Sequence, residues 1–453
     1  MKRSRTRLTD EPVVKTLVLL TLPMVVGIVG MVAFNLVDTF FVGRLGTEEL
    51  AAMSFTFPVV LVISSLARGL GVGTSAVLAR AIGQGDQHKV RRLATDALLL
   101  SFLVVAIFAV IGMLTIDPLF RLLGADEEIL PLIRRYMRIW YPGVAFVVVP
   151  MVGNSAIRAT GDTKTPSIIM MTAIVVNLTF DPLLIYGIGP FPRLELEGAA
   201  IATVLARATT LVVSLRVLFK REKMLSLDRP KMREVVSSWK KLLFVGLPAA
   251  STMIIIPLAT GIITRMVAAY GPASVAGFGV ASRVEGFALT VVSALGTVLI
   301  PFVGQNLGAG KLPRVKSALS FSTGFALAWG ALVFVVFLFA ARPVARIFND
   351  NPQVIEAAAR YLLYVSVSYG AFGMFQLITA SFNAMNRPVQ AAAVSLVRVF
   401  VLYVPLAILG RRMFALEGVF GAATAANILS AALAFVWLKA TLRGMSVAKG
   451  VKE

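Results

Sequence analysis

The sequence predicts an all-α integral membrane protein: twelve transmembrane helices arranged as two six-helix bundles, related by a pseudo-twofold axis along the membrane normal, with a central cleft. Three observations predict it. Over 453 residues the chain is 58% hydrophobic and only 15% charged, with a mean hydropathy of +0.84, which is too apolar for a water-soluble domain. Its apolar runs recur at lengths near the ~20 residues a bilayer requires. Motifs of the first half return in the second at a fixed offset, the mark of an internal repeat.

Composition also excludes. With no cysteine there is neither a disulfide framework nor a thiolate metal site. His88 is the only histidine and sits in the loop stretch GQGDQHKVRR, where a solvated role is expected, so histidine chemistry is set aside. A formal charge of +21, from 44 basic and 23 acidic residues, would point a soluble protein toward nucleic acid. In a membrane protein it belongs first to the loops, where basic residues set topology and attract anionic headgroups. No nucleic-acid partner and no organic cofactor are expected, and the chain is expected to act as a monomer among membrane lipids. The opening MKRSRTR is too basic for a signal-peptide core and the apolar stretch behind it too long, so an uncleaved first span is predicted.

The spans are predicted at about 16–43, 50–80, 93–120, 131–158, 164–187, 196–220, 241–270, 275–307, 315–341, 355–383, 389–412 and 418–443. Loops after even-numbered spans carry Lys89, Arg91 and Arg92; Arg158 and Lys164; the basic run from Lys220 to Arg233; and Lys311, Arg314 and Lys316. Loops after odd-numbered spans carry Glu48 and Glu49; Asp126, Glu127 and Glu128; Glu195 and Glu197; and Asp350 and Glu356. By the positive-inside rule both termini are expected in the cytoplasm of a cell whose inner membrane holds the protein.

The repeat is legible in single residues. Leu22-Pro23 returns as Leu247-Pro248, Gly46 as Gly271, Gly71 as Gly296, Gly85 as Gly310 and Arg135-Tyr136 as Arg360-Tyr361, each at an offset of 225. Pro182 matches Pro405, and Glu197-Gly198 matches Glu417-Gly418, at slightly shorter offsets. Six spans per copy is an even number, so the copies share one membrane orientation. The expected domains are an amino-terminal lobe over 1–222, a cytoplasmic linker over 223–240 punctuated by Asp228-Arg229-Pro230, and a carboxyl-terminal lobe over 241–453.

Polar residues then single out one lobe. In the span MTAIVVNLTFDPLLIYG an amide at Asn177 and a carboxyl at Asp181 interrupt hydrocarbon. A charged group there costs about 3 kcal/mol on insertion scales, so it faces protein or water rather than lipid. At spacing i, i+4 the two side chains share a helix face. Pro182 removes a backbone donor and frees a carbonyl one turn earlier. The repeat supplies a control: Asp38 falls opposite Ile263, Asn177 opposite Phe400 and Asp181 opposite Val404. Counted from the outer membrane face, Asp38, Asp181 and Thr203 lie about five to seven residues deep, or ~8–10 Å. Two carboxylates, an amide and a hydroxyl at one depth are hard oxygen donors that suit Na⁺ or a shared proton. Arg207, four residues beyond Thr203, could answer Asp181.

Other candidates rank lower. Arg283 and Glu285 read as a local packing pair. Gly69, Gly71 and Gly73 superficially match a dinucleotide loop but lie inside a span, where close helix packing explains them. A membrane-embedded enzyme would need a set such as HExxH or GxSxG, and neither is present.

Within two six-helix repeats, LPMVVGIVGMVAFNLVDTFFVGRLGTEELAA, the GQGD loop, RATGDTKTPS, NLTFDPLLIYG and LEGAAIATVLA together resemble the multidrug and toxic compound extrusion (MATE) family over nearly the whole chain. The resemblance implies H⁺- or Na⁺-coupled antiport, exporting amphipathic and often cationic compounds by alternating access. On the pattern of the DinF-like branch, Asp38, Asn177, Asp181 and Thr203 are the amino-lobe cation site, as metal ligands if the ion is Na⁺, and Pro23 is where the first helix bends. The NorM-like branch carries its acids in the carboxyl-terminal lobe, on spans that lack them here. Met31, Phe34, Asn35, Asn154 and Arg207 are expected at the substrate cleft, with positions 31 and 34 apolar in this chain. A lipid-linked oligosaccharide flippase shares the architecture but would call for a strongly cationic cavity.

Overall fold

The computed structural model describes residues 8–450 except 227, 229 and 230, and among these it leaves undescribed the side chains of 33, 35–40, 43, 47, 50 and 448–450. The backbone is helical throughout, with no strand among the described residues. The helices are α1 (Val13–Gly43), α2 (Thr47–Gly83), α3 (Gln87–Leu114), α4 (Ile116–Leu122), α5 (Leu130–Gly143), α6 (Ala145–Ala159), α7 (Lys164–Tyr186), α8 (Glu195–Arg216), α9 (Met232–Ala268), α10 (Pro272–Ala288), α11 (Thr290–Gly308), α12 (Leu312–Arg346), α13 (Pro352–Ser366), α14 (Tyr369–Ala384), α15 (Pro388–Leu396) and α16 (Val404–Gly450). Two π-helical stretches, Val217–Arg221 and Val397–Tyr403, follow α8 and α15.

The expected spans map onto these helices. Ten described stretches are long and apolar enough to cross a bilayer, and the α13–α14 pair, bent by 61°, supplies an eleventh. One of the ten, Pro388–Val447, runs 60 residues, about twice what a bilayer needs. Its backbone leaves the helical region at Phe414 and at Ala415, where φ is 50°, so it is a helical hairpin that completes the twelve. Loop ends follow local rules. Gly85 and Gly310, one repeat apart, take positive φ of 79° and 73°, a conformation that costs glycine nothing and other residues much. Directly after Gly85, Asp86 Oδ1 accepts from the Lys89 amide at 2.9 Å and caps α3.

Compactness divides the chain elsewhere than at the basic linker. Leu22–Ala250 form one unit, and the segment ending at Thr21 groups with the residues from Ser251 onward. Each repeat's first helix therefore starts in one unit and ends in the other, and both crossings fall close to a repeated proline, Pro23 or Pro248. In the first unit, α9 enters on a glycine seam: a Cβ on Gly69 would stand 2.5 Å from that of Ala250, and one on Gly73 2.5 Å from the Leu242 carbonyl oxygen. The glycines that mimic a nucleotide loop are thus packing residues, as their place in a span suggested. In the second unit the start of the chain is clasped by the α11–α12 turn. Asn306 Nδ2 and Arg314 Nη2 both donate to the Leu8 carbonyl at 3.1 Å, and Lys311 Nζ donates to Asp10 Oδ1 at 2.9 Å.

Each unit also repeats one polar contact. Arg135 Nε donates to Glu197 Oε1 at 2.7 Å, and Arg360 Nη1 donates to Glu417 Oε1 at 2.6 Å. These are the residues that the repeat pairs by sequence.

Candidate functional site

In the first unit the site is built on α7, which presents Ala173, Asn177, Asp181 and Leu184 to the interior. Period-3.6 spacing puts these on one stripe. Asn177 is 1% exposed and Asp181 is fully buried. Asn177 Nδ2 donates to Asp181 Oδ1 at 3.0 Å, so the i, i+4 pair read from the sequence forms as a hydrogen bond. One amide proton is committed to one carboxylate oxygen, which orients the acid and partly offsets the cost of burying its charge.

Three contacts set the register between α7 and α1. Ser167 Oγ donates to the Pro23 carbonyl at 2.7 Å. A Cβ on Gly30 would stand 2.8 Å from the side-chain ends of Met171 and Ile174, so the two helices approach closely here. Tyr186 Oη donates to the Phe41 carbonyl at 2.8 Å. Between the last two contacts, the backbone at position 38 runs level with Asp181. The side chains of Asp38 and Asn35 lie outside the described residues, so their predicted roles are left to experiment.

The other predicted residues distribute as follows. Thr203 and Arg207 are half-buried on α8, a helix that packs extensively against α7. The Arg207 guanidinium sits over the Phe34 ring, 4.8 Å from its centroid, and Phe34 is itself buried on α1. A cation on an aromatic face is worth about 0.5–2 kcal/mol depending on exposure, so this contact joins α8 to α1 one turn from position 38. Met31 is half-buried on the same helix. Asn154, on α6, is 8% exposed, and among the described residues its Oδ1 meets no hydrogen-bond donor. Pro23 lies inside α1 next to the unit crossing.

One pairing differs from expectation. Arg283 and Glu285 do not form a local pair: Arg283 is exposed, whereas Glu285 accepts from Tyr361 Oη at 2.7 Å and Tyr369 Oη at 3.4 Å. Residues two apart on a helix point about 200° apart, so the sequence neighbours face different ways. The signal that would have found Glu285 is the repeat, which sets it opposite apolar Val60.

Buried polar groups on packed, apolar, membrane-length helices define a polytopic membrane transporter. The MatE family profile matches residues 23–183 and again 248–409, reproducing the repeat at its own offset. The chain belongs to the MatE family, and it is a transporter, not an enzyme. It is 42% identical to the FAD transporter of Shewanella oneidensis over 94% of both chains. It is 28% identical to the probable multidrug resistance protein YoeA of Bacillus subtilis over 82% of this chain and 81% of that one. Among solved structures it is similar to the Vibrio cholerae MATE transporter VcmN in the bent form, with a TM-score of 0.92 and 30% identity, covering 96% of this chain and 98% of that one.

Proposed function

We propose that the protein is a cation-coupled efflux antiporter of the cytoplasmic membrane, with both termini inside and H⁺ or Na⁺ as the coupling ion. The observation that carries this reading is the buried Asn177–Asp181 pair on α7, level with position 38 of the adjoining helix. Uptake of a cation at Asp38 and Asp181, with Thr203 as a further oxygen donor, discharges the site. That lowers the cost of closing α1 over it, so the helix shifts at Pro23 and substrate affinity falls. The ion drives transport only through its unequal affinity for the two states.

The exported compounds are amphipathic and aromatic, and Met31, Phe34, Asn35, Asn154 and Arg207 are the contacts to test. Relatives named for multidrug resistance support export of drugs. A second reading, a flavin dinucleotide, is favoured by the 42% identical FAD transporter and by the guanidinium over Phe34, a combination that suits a planar ring bearing phosphates. It comes first in the order of substrates to assay.

Purified protein in lipid vesicles, with H⁺ and Na⁺ gradients imposed separately, tests the reading. FAD and ethidium are assayed side by side. Gradient-driven transport that collapses in Asp38→Asn is expected; transport indifferent to both gradients would remove the antiport assignment.

A further inference from the structure

The coupling reading draws on ionisable groups of the first unit only, yet the second unit holds a half-buried acid of its own, Glu285. Glu285 lies about thirteen residues along α10 from Pro272, or ~20 Å into the span. Its Oε2 is held by the phenols of Tyr361 on α13 and Tyr369 on α14, at 2.7 and 3.4 Å. No ion pair includes it among the described residues. The nearby guanidinium is occupied elsewhere: Arg398 Nε and Nη2 donate to Asn427 Oδ1 at 3.1 and 2.9 Å, and its carbon sits 4.2 Å from the Phe372 centroid. Asn427 Nδ2 in turn donates to Ser368 Oγ at 2.9 Å, at the α13–α14 bend.

Three backbone irregularities converge on this cluster. They are the break between α10 and α11 at Leu289, where Trp329 Nε1 donates to the Ala288 carbonyl at 2.8 Å; the 61° bend between α13 and α14; and the π-helical stretch that carries Arg398 and Tyr403. Irregular backbone at membrane depth is confined to protein interiors, and π turns recur at functional sites. Packing alone does not need the acid, since the repeat builds the equivalent place in the first unit with Val60. A carboxylate left in a membrane interior without a direct counter-ion is relieved most simply by a proton.

We infer that Glu285 is a second proton-binding carboxylate of the transport cycle, loading and releasing its proton separately from the Asn177–Asp181 pair, an inference that rests on the antiport reading above. The groups facing it are Tyr361 from α13, Tyr369 from α14, and Arg398 and Tyr403 from the π-helical stretch; α12 contributes the neutral Trp329 to the cluster. Protonation replaces an acceptor for two phenols by a group that can also donate, so the bond pattern joining α10, α13 and α14 changes with the proton.

Infrared difference spectra of full-length protein in lipid, without substrate, between about pH 5 and about pH 8 test this. The Asp38→Asn/Asp181→Asn double variant, which lacks the coupling acids of the first unit, should still lose a protonated carboxyl band as pH rises. In that background Glu285→Gln should remove the band and Tyr361→Phe should displace it. Efflux of ethidium driven by a pH gradient should fall at least about tenfold in Glu285→Gln and return, with a shifted pH profile, in Glu285→Asp. A double-variant spectrum without the band, or a band that survives Glu285→Gln in that background, overturns the inference. Should Glu285→Gln not fold, the Tyr361→Phe displacement decides alone, and its absence overturns the assignment. Because the spectra need no transport, failure of the antiport reading would show separately, as wild-type efflux indifferent to gradients.

Discussion

Ser167 Oγ of α7 divides its single proton between the carbonyl of Pro23 on α1, at 2.7 Å, and that of Thr163 in the preceding turn, at 2.9 Å. The bond pins α1 beside the proline, where the helix crosses from one unit to the other. Ser167→Ala should free that point, with a stability loss of about 1 kcal/mol. Since the chain has no cysteine, a single Leu22→Cys reporter can be labelled cleanly. Its labelling rate should rise several-fold in the Ser167→Ala background; an unchanged rate would mean that the bond does not restrain the bend.

Asp181→Asn keeps the shape of the side chain and discards its charge. Asn177 Nδ2 can still donate to the new amide oxygen, so the fold should survive while gradient-driven efflux falls by at least about a hundredfold, the loss expected when a group acts only through its charge. Melting of the purified variant within a few degrees of wild type, together with lost transport, is the expected result. Retained coupling would transfer the role to another group.

Outside the spans, Asp162 in the turn before α7 has its carboxyl held below the ordinary carboxylate range. Burial acts to raise it, but is outweighed by bonds from the Thr165 hydroxyl and amide and by the Arg221 guanidinium. A depressed value means that the folded state binds its proton less readily than the unfolded one. The stabilisation is therefore present above the unfolded value of ~3.9 and is lost as pH falls through the folded value. Wild type should melt above Asp162→Asn at neutral pH, and the gap should close in acid. A gap independent of pH would show that the hydrogen bonds, not the charge, carry the effect.

Where α12 meets α14, a Cβ on Gly330 would stand 2.0 Å from the Gly370 amide nitrogen. Backbone cannot yield as a side-chain tip can, so Gly330→Ala should cost about 1–3 kcal/mol by overpacking and lower the melting temperature. By contrast, Gly324→Ala lies in open space and should be neutral. Equal melting of both variants would contradict the close approach.

The sequence by itself determined the helical membrane fold, the order of the spans, the repeat and the Asn177–Asp181 pair, whereas α3 (Gln87–Leu114) and α9 (from Met232) begin six and nine residues before the expected 93 and 241. These depend on near-neighbour physics: hydropathy over a bilayer's width, helical periodicity and turn glycines such as Gly85 and Gly310. Tertiary structure decided what sequence spacing cannot express. Glu285 chose two tyrosines some eighty residues away over Arg283 two residues away, because helical rotation sends i and i+2 to different faces. Arg207 took the face of Phe34, and the first helix of each repeat divided itself between two units, because packing partners far apart in the chain are selected by shape and burial, which no local pattern encodes.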